Sequence, residues 1–395
     1  MFPTDVVILA GARTPMARYT GAFKDIPAND LGAIASREAI RRAGVDPADF
    51  DHAIFGNVMQ TSADALYGAR HVALKAGLKV ETPAVTVNRL CGSGIESIAQ
   101  AAQRILLVEA SLVLAGGMEN MTQAPHVIRG ARTGFRLGEG KLEDSLMTGL
   151  TDTYCGFDMA GTAENVAAEC GITRRASDEY ALRSQQAAEA AHRAGRMREE
   201  IIPVEIKKGS KTELFAEDDH RRPDTTIEIL EKLKPAFRKD GIVTAGNASG
   251  IVDGGAAVVV THAKTARERN WKPLGRIVSW ANVGVEPRIM GIGPVPATQK
   301  ALASAGLSLS QIDRIEVNEA FAPQYLAVEK ALCLDRAKTN VNGGAIALGH
   351  PLGASGTRLV LTLLLELRRT NLRYGLATAC IGGGQGIAMI VESLG

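Results

Sequence analysis

The chain carries one pattern twice. An offset of 262 residues maps Ala43-Gly44 onto Ala305-Gly306, Asp51 onto Asp313, and Gly92-Ser93-Gly94 onto Ala354-Ser355-Gly356. Strand-like runs at Ile54-Phe55 and Ile315-Glu316-Val317 correspond too, and the strand before Gly116 resembles the one before Cys380 if about two residues are inserted. A duplicated sequence calls for two similar halves packed against each other, with a site between them drawing on both copies. The halves read as 1–120 joined by 250–271, and 272–395; residues 121–249 read as a large insertion over the shared face.

Each half alternates strand and helix signals. Val6-Val7-Ile8-Leu9-Ala10 is an apolar run closed by Gly11. Asp30 is placed to cap a helix whose buried face is Leu31, Ile34, Ala35 and Ile40 and which Gly44 stops. Ala53-Ile54-Phe55 is a short strand, Ala63 to Ala76 a helix ending at Gly77, and Leu112-Val113-Leu114-Ala115 a strand running into Gly116-Gly117. Such alternation means an α/β layered fold, and 395 residues are too many for one ordinary core. The insertion breaks the pattern. Ser177, followed by Asp178 and Glu179, can start a helix that Gly195 ends, while Lys207 to Lys239 is dense in Lys and Arg. That charge run reads either as a solvated face or as a phosphate-binding patch.

A formal charge of only +2 calls for neither nucleic acid nor a membrane surface. No apolar run approaches the roughly 18 residues of a membrane span, and Met1-Phe2-Pro3-Thr4-Asp5 has no basic n-region, so neither secretion nor insertion is expected. Cys91, Cys155, Cys170, Cys333 and Cys380 lack the spacing of zinc sites or disulfide frameworks. No metal is implied, and a reducing cytoplasm fits best.

Cys91 lies between the β-prone run Ala84-Val85-Thr86-Val87 and a stretch with apolar residues at Ile95, Ile98, Ala99, Ala102 and Ile105, which is helical spacing. Small residues after it allow close approach of a ligand, and the N–H groups of a new helix would favour a thiolate there. The plain alternative is a buried cysteine acting as a small hydrophobe. Three clusters in the second half occupy equivalent junctions. Asn318-Glu319-Ala320-Phe321 follows a strand, Gly343 to Gly353 with His350 precedes a helix, and Cys380-Ile381-Gly382-Gly383-Gly384 follows another strand. Taken singly, Asn318 could cap a helix, His350 could satisfy a core hydrogen bond, and neither Gly-rich run has a dinucleotide or P-loop pattern. Together they place two thiols, an imidazole and an amide at strand ends, where open α/β layers bind ligands.

Cys91-Gly92-Ser93-Gly94, Gly116-Gly117-Met118-Glu119, Asn247-Ala248-Ser249-Gly250, Asn318-Glu319-Ala320-Phe321, Gly349-His350-Pro351 and Cys380-Ile381-Gly382-Gly383-Gly384 resemble the thiolases, in order and along nearly the whole chain. The resemblance implies a duplicated αβαβα layered fold and acetyl-CoA C-acyltransferase or C-acetyltransferase activity. It leans toward the 3-ketoacyl-CoA thiolases of fatty-acid oxidation, notably around Val341-Asn342-Gly343-Gly344 and Met290-Gly291-Ile292-Gly293-Pro294. It implies Cys91 as the acylated nucleophile, His350 as its base, and Cys380 as the second acid/base at the α-carbon of acetyl-CoA. Asn318, holding a water beside His350, would stabilise the enolate, and the backbone N–H groups of Cys91 and Gly382 would form a second oxyanion hole. Ser249, Met159, Ala320 and Phe321 would line the pantetheine tunnel, and Arg222 would meet the nucleotide phosphates. Coenzyme A and acyl-CoA are then substrates with no tightly bound cofactor, and the assembly is a homodimer or homotetramer.

Short-chain biosynthetic members have Tyr-His-Met-Gly where this chain has Phe157-Asp158-Met159-Ala160, which favours longer 3-oxoacyl chains. Glu96 stands close to Cys91 in sequence and is expected to point away from it or to pair with a cation. A short-chain acetoacetyl-CoA-forming acetyltransferase remains an alternative. A ketoacyl-synthase-like enzyme would pair its cysteine with two histidines, yet His350 is the only histidine after His262. A cysteine hydrolase would not need Cys380, and a non-catalytic CoA-binding protein would not need four reactive groups.

Overall fold

The computed structural model describes residues 5–395; Met1–Thr4, part of the stretch read as lacking a secretory n-region, lies outside them. One mixed sheet of ten strands runs through the molecule. Its first-half strands are β1 (Val6–Arg13), β2 (His52–Gly56), β3 (Ala84–Val87), β4 (Leu112–Glu119) and β5 (Val252–His262). Its second-half strands are β6 (Gly275–Gly284), β7 (Arg314–Val317), β8 (Tyr374–Ile381) and β9 (Gln385–Ser393). The order is β7-β8-β9-β6-β1-β5-β4-β2-β3, and Ala17–Arg18 pairs with β5 as the tenth strand. The two halves of this path match in sense. β1–β5–β4 and β6–β9–β8 are antiparallel, whereas β4–β2 and β8–β7 are parallel. Outside β2 lies parallel β3, and outside β7 lies a single parallel bridge from Ile315 to Thr339.

Helices α1 (Ala28–Ala43) and α2 (Ser93–Leu106) belong to the first half; α3 (Pro294–Ala305), α4 (Ala322–Leu332) and α5 (Leu352–Thr370) belong to the second. Alternate strand residues face opposite layers, as a pleated strand requires. Val113 and Ala115 join Ile95, Ile98 and Leu359 in the central core, while Leu112 and Leu114 face outward toward Ala35 and Ala39 of α1. Leu376 and Ile390 likewise face Ala297 of α3 and Tyr325 of α4. The result is five layers, with α2 and α5 sandwiched in the middle. This central position explains why α5 is buried from Leu352 through Leu367 with no exposed face, its polar side chains Ser355, Arg358, Thr362 and Glu366 each meeting a partner inside the protein.

The repeat is visible atom by atom. Gly44 and Gly306 both end their helices in the left-handed region, at φ 64° and 67°. Asp51 Oδ2 accepts from the N–H groups of Ser111 and Leu112, and Asp313 Oδ2 accepts from those of Arg373 and Tyr374. These partners are also 262 apart, so the strand after Leu112 corresponds to the strand after Tyr374 with no insertion, contrary to the two-residue gap expected from sequence. The duplicated glycines Gly94 and Gly356 meet where α2 crosses α5. A Cβ on Gly94 would stand 2.4 Å from the Thr357 nitrogen, and one on Gly356 would stand 2.4 Å from the Ile95 nitrogen. Gly94→Ala is therefore expected to push the central helices apart and lower stability by about 3 kcal/mol, read as a shift of the urea midpoint.

Some boundaries differ from the sequence reading. α1 starts at Ala28 behind Pro27, leaving Asp30 in its first turn, where its charge suits the helix dipole, instead of at the cap. The stretch expected to be helical from Ala63 is a 3₁₀ turn at Ala65–Tyr67 followed by a helix at Gly68–Lys75. In the insertion, the helix expected to start at Ser177 spans Arg174–Arg193, because the Thr173 side chain accepts from Ala176 N and caps it earlier.

Candidate active site

Cys91 lies in a 3₁₀ turn, Leu90–Gly92, between β3 and α2. Leu90 has a positive φ of 46°, and the turn is held by Ser93 Oγ, which accepts from Arg89 N at 2.8 Å and donates to Leu90 O at 2.7 Å. Across the layer, His350 lies at the entrance to α5 with its N–H donating to Gly250 O at 2.9 Å. Its Nδ1 is 2.6 Å from Ser355 Oγ and its Nε2 is 3.2 Å from Asn318 Nδ2. Asn318 does not cap a helix. It follows β7 while α4 begins four residues later behind Phe321, and its Oδ1 has no protein partner among the described residues. Cys380 is the penultimate residue of β8, inside the strand instead of after it, and packs with Ala248, Met290, Ala320 and Phe321.

Cys91, His350, Met159, Ser249, Ala320 and Phe321 line one cavity of about 160 Å³. Ser249 N donates to Ala320 O, and Ala248 bridges Phe321, so the loop holding Ser249 is stitched to the loop after β7. Arg222 is not on this lining. Its side chain is exposed and forms no ion pair among the described residues, but its charge reaches His220, whose ring lies against the lining residue Gly250. The arrangement gives an apolar pocket with reactive groups at its base and an unpaired cation outside it.

The protonation states follow from burial. The N–H groups of Gly382 and of Cys91 itself both favour the Cys91 thiolate, yet desolvation outweighs them and Glu119 adds repulsion, so the thiol is pushed up to about 11. The thiolate expected from the helix start is therefore disfavoured in the resting state, with Cys91 buried in a cluster with Met121, Leu146 and Leu352. Burial pushes the Cys380 thiol up as well, with Cys91 adding to the shift. Burial and the charge of Arg358 lower His350 to about 3. The site at rest holds two thiols and a neutral imidazole. Alkylation of Cys91 by iodoacetamide should accordingly keep accelerating from about pH 7 to about pH 9, where a preformed thiolate–imidazolium pair would already have reached its plateau.

Residues 6–264 match the family model for the thiolase N-terminal domain, and residues 271–393 match that for the thiolase C-terminal domain. The chain belongs to the thiolase family. It is 52% identical to human mitochondrial 3-ketoacyl-CoA thiolase over 389 residues, covering 98% of each chain. It is 49% identical to an acetyl-CoA acetyltransferase of Cupriavidus necator, covering 98% of this chain and 99% of that one. The crystal structure of human mitochondrial 3-ketoacyl-CoA thiolase superimposes with a TM-score of 0.97 over 98% of both chains, and its complex with CoA does so at 0.96.

This thiolase also contains residues near the site to which the sequence reading gave no role. Glu119, the last residue of β4, is fully buried and accepts from Asn57 Nδ2, Val58 N, Met59 N and Gly353 N. Burial pushes its carboxyl up to about 7 against those donors. It ties the loop after β2 to the first turn of α5, next to His350. Its only sequence signal was its place at the end of the Gly116-Gly117-Met118 motif. Met121, Met147 and Leu150 of the insertion line the cavity beside Cys91, and no spacing rule marks them. Asp158 lines it too, and caps the helix Met159–Cys170 through Gly161 N at 2.6 Å. Glu96 pairs with Arg89 at 2.9 Å, so the acid expected to avoid Cys91 does so. Among the described residues, no group of three or more His, Cys, Asp or Glu could hold a metal ion.

Proposed function

We propose that this thiolase cleaves 3-oxoacyl-CoA with CoA to acetyl-CoA and a shortened acyl-CoA, and catalyses the reverse Claisen condensation, with Cys91 carrying the acyl group. The observation that carries this reading is one apolar cavity lined by Cys91 and His350, with Asn318 bonded to His350 and Cys380 packed behind the lining residues Ala248, Met290, Ala320 and Phe321. In the cleavage direction, His350 takes the Cys91 proton as the sulfur adds to the 3-oxo carbon. The resulting alkoxide lies over the N–H groups of Cys91 and Gly382, the donors that already face the sulfur. The bond between the α- and β-carbons breaks, and its electron pair becomes the enolate of acetyl-CoA. The imidazolium of His350 and a water on Asn318 stabilise that enolate, and the protonated Cys380 delivers its proton to carbon. The CoA thiol, losing its proton to the site's bases, then releases the acyl group from Cys91.

For CoA itself, Ser249, Met159, Ala320 and Phe321 fit the pantetheine arm because they line the narrow apolar cavity. Arg222, unpaired outside it, fits the nucleotide phosphates; raising salt should weaken CoA binding less in Arg222→Ala than in wild type. We take residues 121–249 as the unit that covers this site. Longer acyl chains fit a wall of Met121, Met147 and Leu150. The deciding experiment is CoA-dependent cleavage across a chain-length series. A preference for longer 3-oxoacyl chains supports the β-oxidation reading, and activity confined to acetoacetyl-CoA favours the acetyltransferase, as the relative from Cupriavidus necator is named.

We also read a homodimer or homotetramer, since edge strand β3 is only half-buried and Leu66, Tyr67 and Val80 are exposed. Light scattering gives the number. A cytoplasmic location is supported by five free cysteines, and no helix among the described residues is long and apolar enough to cross a membrane. The human relative is named mitochondrial, so cell fractionation decides between the two compartments.

A further inference from the structure

We infer that Ser355 is a positioning residue that fixes the proton of His350 on Nδ1, leaving Nε2 as the base, and that the duplicated Ser93 performs the matching service for the turn that carries Cys91. The inference rests on the reading of His350 as base.

A serine hydroxyl has one hydrogen. At Ser355 that hydrogen goes to Pro351 O, 3.0 Å away, so toward His350 the oxygen can only accept. Its partner is Nδ1 at 2.6 Å, which must therefore carry the ring proton. On the other side of the ring, Asn318 Nδ2 can only donate, and it stands 3.2 Å from Nε2, which fits a lone pair there. Both neighbours thus select the same tautomer, the one able to take a proton from a thiol.

The same arrangement occurs 262 residues earlier, where Ser93 Oγ donates to Leu90 O and accepts from Arg89 N. Each serine lies in the first turns of one of the two central helices, bonds back to the carbonyl of the residue three or four before it, and uses its lone pair on the segment entering that helix. In one copy this segment holds the nucleophile's turn; in the other it holds the base. The charged group acting on His350 is Arg358, itself paired with Glu316 at 2.9 Å, and the groups that act on Cys91 and Cys380 are Glu119 and the other thiol. Among the described residues the imidazole's side-chain partners are Ser355 and Asn318, neither of them a carboxylate. Ser355 sets the tautomer without stabilising the imidazolium ion, which agrees with a site that is neutral until substrate arrives.

The test is the ¹⁵N spectrum of the histidine-labelled protein, with the His350 signals identified by their loss in His350→Asn. Wild type is expected to show His350 protonated on Nδ1 and bare on Nε2. In Ser355→Ala the signals should move toward the Nε2–H form, with kcat falling about 10–100-fold and KM changing little; Ser355→Thr, which keeps the hydroxyl, should recover most of the loss. A wild-type His350 protonated on Nε2 would overturn the inference, whether or not the variants fold. So would Ser355→Ala retaining both the Nδ1–H form and its kcat. Turnover persisting in His350→Asn would instead remove the base assignment on which the serine's role depends.

Discussion

Cys91→Ala is expected to abolish CoA-dependent cleavage, with a loss on the order of 10⁶-fold in kcat, as when a covalent nucleophile is removed from other enzymes. The effect should be chemical and not structural. Cys91 makes apolar contacts with Met121, Leu146 and Leu352, and exchanging its sulfur for hydrogen leaves only a small void in that cluster. The variant should keep its unfolding midpoint close to wild type and still bind CoA. The N–H groups of Gly382 and Cys91 act on the Cys91 sulfur, whereas Cys380 has only its own N–H, so Cys380 should not take over the acyl group. Cleavage within tenfold of wild type would mean that the acyl group travels by another route.

Cys380→Ala should separate two reactions that the wild type runs together. Carbon–carbon cleavage and condensation both need a proton moved at the α-carbon, and their loss is expected to reach about 10²–10⁴-fold, the usual range for a positioned acid or base. Transfer of an acetyl group between acetyl-CoA and labelled CoA needs only Cys91 and His350, and should survive within about tenfold. The neutral state of the Cys380 thiol is what makes the split clean. Burial and the neighbouring Cys91 hold its proton in place, which is the correct state for an acid facing a carbanion. Equal losses in cleavage and exchange would assign Cys380 to holding the site together instead of to proton transfer.

The duplication was legible because its markers are backbone devices. Gly44 and Gly306 must adopt positive φ, and Asp51 and Asp313 must each receive two N–H groups at a strand start, so their residue types are constrained in both copies. The register of the matching strands was harder to see because function has made the copies differ. Gly117 is forced by the Gly353 carbonyl, 1.8 Å from where its Cβ would be, a contact between β4 and α5. Its counterpart at an offset of 262 is Ala379, so the glycines that mark the end of β4 have no match in β8, and setting the strand before Gly116 on the strand before Cys380 suggested a gap. The groups proposed to react were legible from their motifs, which fall in the turn before α2, after β7, at the entrance to α5 and at the end of β8. Their protonation was not, since it depends on packing by Met121, Leu146 and Leu352, which are remote from Cys91 in sequence. Glu119 was silent for the same reason: its four donors come from the loop after β2 and from α5.

In the proposed reaction every acyl group passes through Cys91. The most direct measurement is the intact mass of the protein after brief mixing with acetyl-CoA and acid quench, followed by peptide mapping. One acetyl group is expected on the peptide containing Cys91, released again when free CoA is added, with no gain in Cys91→Ala. A chain that turns over substrate without ever carrying an acetyl group, or that carries it on Cys380, would rule out Cys91 as the acyl carrier.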